Sequence, residues 1–175
     1  VKELPIQNNI QVLPQAGYTL VDDIKIEPDL ALIKGPKSVI DTFKTISTDN
    51  LVLENLKYPV HKQINLISPN IENLSLLNQK ATLSADIQKL MEKKISNIPV
   101  GVINLPPNVS ALVIPAHFSL VIQGGVNVVF PINEKDIEAY IDYKKHRNPD
   151  RQDYPAYIKP IPGIRFRDIE PKRFK

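Results

Sequence analysis

Apolar and polar positions alternate with a period of two along most of this chain, and prolines interrupt the alternation at regular intervals. Ile10–Leu13 alternates weakly and ends at Pro14, where Pro14-Gln15-Ala16-Gly17 reads as a turn whose glycine permits positive φ. Tyr18, Leu20, Ile24 and Ile26 then share one parity, with Asp22 between them, as expected of a half-buried strand. Pro28 breaks that segment. Leu30–Ile33 follows as a short, nearly all-apolar strand, and Gly35-Pro36 stops it. Val39, Ile40, Phe43 and Ile46 fall at i, i+1, i+4 and i+7, which predicts a helix over Lys37–Ile46 with Pro36 suited to its first turn. So short a helix has to lean on a sheet. Further strands are expected at Leu51–Leu53, Val60–Ile67, Leu74–Leu77 and Ala81–Ile87.

The composition changes over Gln88–Lys94, where a domain boundary is expected, giving domains 1–90 and 91–175. The second half repeats the programme. Ile95–Leu105 reads as extended, Pro106-Pro107-Asn108 as a turn, and Val109, Ala111 and Val113 alternate as a strand up to Ile114-Pro115. Phe118, Leu120 and Ile122 alternate before Gly124-Gly125. The helix of the first half is replaced here by Val126–Pro131, which reads as extended or irregular. Asn133–Asp136 is a turn, Ile137–Tyr143 a strand, 144–153 a charged loop, and Ala156–Ile161 extended.

The same elements recur at a separation of roughly 85–90 residues, as in tandem repeats. Ile26-Glu27-Pro28 through Gly35 aligns with Ile114-Pro115 through Gly124, and Ile169-Glu170-Pro171 repeats the first corner letter for letter. Pro14–Tyr18, Pro69–Ile71, Pro107–Val109 and Pro162–Ile164 each open a strand after a proline turn, so each copy is doubled internally. The expected fold is mainly β: two tandem small β domains of similar topology, with one short helix in the first. The second domain is expected to be truncated at its C-terminal end.

Composition agrees with that reading. Sixteen prolines against six glycines favour many short extended segments, because proline is tolerated at strand entries, edges and turns but not inside helices. There is no tryptophan and little aromatic content, so the core is built of Ile, Leu and Val. The absence of cysteine removes disulfides and thiolate chemistry. No apolar run reaches the length of a membrane-spanning helix. The net charge of +3 is uneven: residues 144–175 hold ten Lys or Arg against four Asp or Glu, which leaves −3 for the rest.

The Pro-Asn/Gly turns, the isoleucine-proline break, the strand ending in glycine and the segment Asn133–Asp142 together resemble the YbbR-like domain family, in two tandem copies. The resemblance implies small β domains with few helices, carried outside the cytoplasmic membrane of a bacterium behind an N-terminal membrane helix that this chain does not contain. It also implies a regulatory role, since some members of the family regulate a membrane-bound diadenylate cyclase, which makes cyclic di-AMP.

The residues themselves offer little chemistry. His61, His117 and His146 are widely spaced and share no ligand pattern. No nucleophile elbow and no phosphate-binding glycine loop is present. Glu134, Asp136 and Glu138, if extended, share one face opposite Ile137 and Ala139, and are read as a solvated face. No catalytic, cofactor or metal residue is assigned. The basic group Lys144, Lys145, Arg147 and Arg151, with Tyr143 and Tyr154 nearby, is the candidate partner-binding patch. The expected function is a non-enzymatic, extracytoplasmic binding or regulatory module whose partner is a membrane protein, with an anionic surface as a second candidate. The alternatives are a nucleic-acid-binding β module using the basic C-terminal third, which is the weaker partner class, and an architectural spacer.

Overall fold

A computed structural model describes residues 1–145 and 153–175. Strand accounts for 51% of the described residues and helix for 7%, so the fold is mainly β. It forms two compact units, Val1–Lys89 and Leu90–Lys175.

In the first unit the strands are β1 (Lys2–Gln7), β2 (Ile10–Pro14), β3 (Tyr18–Leu20), β4 (Lys25–Glu27) and β5 (Leu30–Lys34). After the helix α1 (Lys37–Ile40) come β6 (Ile46–Ser47), β7 (Leu51–Leu56), β8 (Val60–Asn65), β9 (Ser75–Leu76), β10 (Lys80–Ala85) and the first residues of β11 (Ile87–Pro99). β1 lies between β5, antiparallel to it, and β6, parallel to it, and β9 extends this sheet beyond β5. β10 takes β8 and β4 on its two edges, and β2 pairs in parallel with β7. Alternation buries Ala31 and Ile33 of β5 and Ala81, Leu83 and Ala85 of β10, and these residues share one core with Leu4, Ile40 and Ile64.

The second unit contains the rest of β11, β12 (Gly101–Ile103), β13 (His117–Gly125), α2 (Val126–Val129), a 3-10 turn over Glu134–Asp136, β14 (Ala139–Asp142), β15 (Tyr157–Ile158) and β16 (Ile164–Glu170). β13 is the central strand, antiparallel to β11 on one edge and to β16 on the other. β14 pairs in parallel with β12 and antiparallel with β15. Phe118, Leu120 and Ile122 point from β13 into a core shared with Ile98, Val129, Ile141 and Phe174.

Four devices recur in both units. The Glu27–Pro28, Ile114–Pro115 and Glu170–Pro171 peptides are all cis. A turn closes through Tyr18 N–H to the Gln15 carbonyl (2.9 Å) and through Val109 N–H to the Pro106 carbonyl (3.2 Å), with Gly17 and Asn108 at positive φ. A glycine ends each central strand against a facing carbonyl. A Cβ on Gly35 would lie 3.1 Å from the Asn73 carbonyl oxygen, and one on Gly124 would collide with the Gly163 carbonyl oxygen. Asn73 and Gly163 both adopt the left-handed conformation that turns these carbonyls inward. Finally, a lysine caps each short helix. Lys2 Nζ donates to the carbonyls of Ile40 (3.3 Å) and Phe43 (3.1 Å), and Lys93 Nζ to those of Phe130 (2.9 Å) and Ile132 (2.6 Å).

Several expectations need correction. The helix expected over Lys37–Ile46 covers only Lys37–Ile40, because the Lys2 ammonium and the Thr42 hydroxyl (2.7 Å to the Val39 carbonyl) take over its last carbonyls. Ile46, although in helical phase, belongs to a strand alongside β1. Val126–Val129, expected to be extended, is helical, so the second unit also has a short helix. Valine is a poor helix former, but Val129 is fully buried and Lys93 caps the turn, so packing overrides propensity. The alternating Val109–Val113 is not a strand; only Val113 is buried there and no neighbour pairs with it. The two compact units divide inside Gln88–Lys94, between Lys89 and Leu90, and that stretch is part of β11.

Candidate functional site

The sequence places its partner-binding patch just after β14, and the structure shows what surrounds it. β14 alternates strictly: Ala139 and Ile141 are buried, while Tyr140 and Asp142 share the outward face. β15 lies antiparallel beside it, with Tyr140 opposite Tyr157 and Ala139 opposite Ile158. The two tyrosine rings sit 5.0 Å apart, tilted by 43°, within the range of favourable aromatic pairs. Tyr140, Asp142, Lys145, Pro155, Ala156 and Tyr157 line a cleft of about 510 Å³.

Asp142 forms the charged end of this cleft. Its Oδ1 accepts from Asn104 Nδ2 (3.0 Å) and from the Lys144 backbone N–H (3.1 Å). The Asn104 hydrogen bond, with the backbone N–H groups of Lys144 and Lys145 and the charge of Lys145, holds the carboxyl below the usual carboxylate range, against a smaller desolvation effect. Asn104 is at φ 60°, a left-handed position that asparagine tolerates well. On the same strand pair, Lys159 Nζ lies 2.9 Å from Glu138 Oε2. That hydrogen bond and the charge of Glu138 raise the lysine pKa. Both groups are exposed, so the pair adds little stability.

Lys144 and Lys145 are exposed in the turn that follows β14, and Lys145 reaches the cleft. Arg147 and Arg151 lie outside the described residues, as does His146. The two tyrosines noted beside the patch, Tyr143 and Tyr154, stand on either side of 144–153 in the chain. Tyr154 packs against the core and pairs with Phe174, and Tyr143 donates its backbone N–H to the Ile103 carbonyl (3.0 Å). The rings at the cleft are Tyr140 and Tyr157. The parity of Tyr140 and Asp142 opposite Ala139 and Ile141 was a usable signal in the sequence. The pairing of Tyr140 with Tyr157 depended on a register across seventeen residues, which no local pattern encodes.

Glu134, Asp136 and Glu138 are all exposed while Ile137 and Ala139 are buried, so the three carboxylates lie in solvent. Glu134 and Asp136 sit in the 3-10 turn, where Asp136 accepts the Asn133 backbone N–H (2.9 Å) and the Asn133 side chain accepts from the Lys135 N–H (3.1 Å). His61 Nδ1 lies 3.0 Å from Ser84 Oγ in the first unit. Among the described residues no group of three or more His, Asp or Glu converges on a metal-sized site, and no helix is long and apolar enough to cross a membrane.

The cleft thus presents an aromatic pair, Tyr140 and Tyr157, with the Asp142 carboxylate and Lys145 beside it. Residues 4–75 match the model of a family described as YbbR-like protein. The first unit carries a YbbR-like domain. The matched stretch starts within β1 and ends in β9, and so takes in the Glu27–Pro28 corner, Gly35 and α1. β10, which is paired on both edges, follows it in the same unit. The cleft belongs to the second unit, outside the YbbR-like match. No curated protein and no solved structure matches the chain.

Proposed function

We propose that the chain is a tandem pair of YbbR-like domains acting as a non-enzymatic binding and regulatory module on the extracytoplasmic face of a bacterial cytoplasmic membrane. The observation that carries this reading is the family match over residues 4–75. YbbR-like domains are generally non-catalytic. The proline corner, the glycine set against a facing carbonyl and the lysine-capped short helix recur in the second unit and support counting it as a second copy.

The partner on this reading is a membrane protein, and in line with the family resemblance a diadenylate cyclase is the leading candidate. Contact runs through the cleft of Tyr140, Asp142 and Tyr157 and its basic rim. Aromatic side chains typically carry much of the energy of a protein contact, with charged residues at the rim setting orientation and on-rate.

The experiment is capture of membrane proteins by a membrane-anchored form of the protein, with and without Lys144→Glu and Lys145→Glu. Both lysines are exposed. The double variant is expected to lose the captured membrane partner while its melting temperature stays within experimental error. Capture of cytosolic proteins alone, or equal capture by the variant, would overturn the reading.

A further inference from the structure

The chain from Asn104 to Ala116 runs thirteen residues without a charge. It joins β12 to β13, and the structure gives it no strand or helix. Val113 alone turns into the core, while Val109 (41%), Leu112 (79%) and Ile114 (58%) stand in solvent. A single exposed aliphatic side chain is ordinary. Three of them within six residues, on a loop with no charge of its own, form an apolar tip.

The tip has a cationic flank. Ile114 exchanges two backbone hydrogen bonds with Lys175, at 2.8 and 2.9 Å, so the segment Pro171–Lys175 lies directly beside it. Arg173 in that segment is held by Asp153 at 3.2 Å. Lys172 and Lys175 are exposed, and among the described residues no ion pair engages either. The corresponding approach to the proline corner in the first unit carries Asp22 and Asp23 instead. An acidic loop repels an anionic surface, and an uncharged one beside lysines does not.

We propose that Val109–Ile114, with Lys172 and Lys175, is a contact for an anionic lipid surface. The residue types favour lipid over protein. Protein interfaces are anchored by Trp, Tyr and Arg and are depleted in Lys. Here the apolar members are Val, Leu and Ile and the cations are lysines, the combination that seats a peripheral segment at a headgroup boundary. The attraction is short-ranged and salt-sensitive, because an anionic leaflet draws lysines only within a Debye length. The contact does not depend on the partner reading above, since a chain with no protein partner would still make it.

The test is co-sedimentation of the full chain with vesicles of equal parts phosphatidylglycerol and phosphatidylcholine, against vesicles of phosphatidylcholine alone. Binding is expected to the anionic vesicles only and to weaken as salt is raised. Leu112→Asp with Ile114→Asp should lower the partition coefficient about tenfold or more, and Lys172→Glu with Lys175→Glu by about the same factor. Melting curves identify any variant that fails to fold, and Leu112→Ser with Ile114→Ser provides a milder replacement. No binding to anionic vesicles overturns the proposal, as does equal binding by folded variants of either pair.

Discussion

Replacing Phe174 by alanine tests the packing of the second unit at its most committed point. The side chain is 1% exposed and meets Phe118 edge to face, with centroids 6.0 Å apart and planes at 82°. Its backbone is fixed as well: Phe174 N–H donates to the Tyr154 carbonyl at 2.8 Å, and Tyr154 N–H to the Phe174 carbonyl at 2.7 Å. A ring held on both sides cannot shift to fill the space its removal leaves, so a cavity is expected instead of collapse. Phe→Ala at such a site costs about 3–5 kcal/mol, and loss of the ring pair with Phe118 accounts for about 0.5–1.5 of that. A domain's whole stability is about 5–15 kcal/mol, so the variant should hold little in reserve. The assay is hydrogen exchange at the amides of Leu120 and Ile122 on β13, read in a urea series. Those amides are expected to lose several kcal/mol of protection. Phe174→Leu, which keeps most of the volume, should lose about 1–2. A Phe174→Ala loss below about 1 kcal/mol would refute the claim that this ring is locked into the core.

Two further outcomes follow from the recurring devices. Gly124→Ala should destabilise the second unit by about 2–4 kcal/mol, because the new methyl meets main chain and no side-chain rotation can relieve it, whereas Gly35→Ala should cost about 1 kcal/mol against a more distant carbonyl; chemical denaturation of the two variants checks the order. Lys93→Met keeps the aliphatic stem but removes the donor to the Phe130 and Ile132 carbonyls, and is expected to cost about 1–2 kcal/mol and to speed exchange at the Phe130 amide; an unchanged exchange rate there would show that the cap is idle.

What the sequence disclosed was whatever the period-2 pattern and the prolines encode locally. Leu30–Lys34 and Phe118–Ile122 are strands because their alternation and their glycine stops agree with the packing. The elements that went astray are those where a distant residue decides. Val126–Val129 is helical where Val129 packs into the core and Lys93, on a strand well upstream in the chain, takes the Phe130 and Ile132 carbonyls just past the helix end. Val109–Val113 has a strand's alternation but no strand to pair with, and alternation without a partner leaves a loop. The cleft was half visible. Lys144 and Lys145 stood out as charges, but Asn104, which fixes Asp142, and Tyr157, which faces Tyr140, come to the site only through tertiary pairing.

The contact between Gly124 and the Gly163 carbonyl also has a meaning for how such chains can diverge. The obstacle to a side chain there is backbone, so compensation cannot come from trimming a neighbour. It requires the whole turn at Pro162-Gly163 to withdraw, and with it the start of β16 that the turn delivers to β13. Change at this point is therefore confined to coordinated steps, in which a strand end and the turn across from it are altered together. The spacing between two strands is set there by an atom that is missing, and a lineage that restores the atom has to rebuild the sheet edge around it.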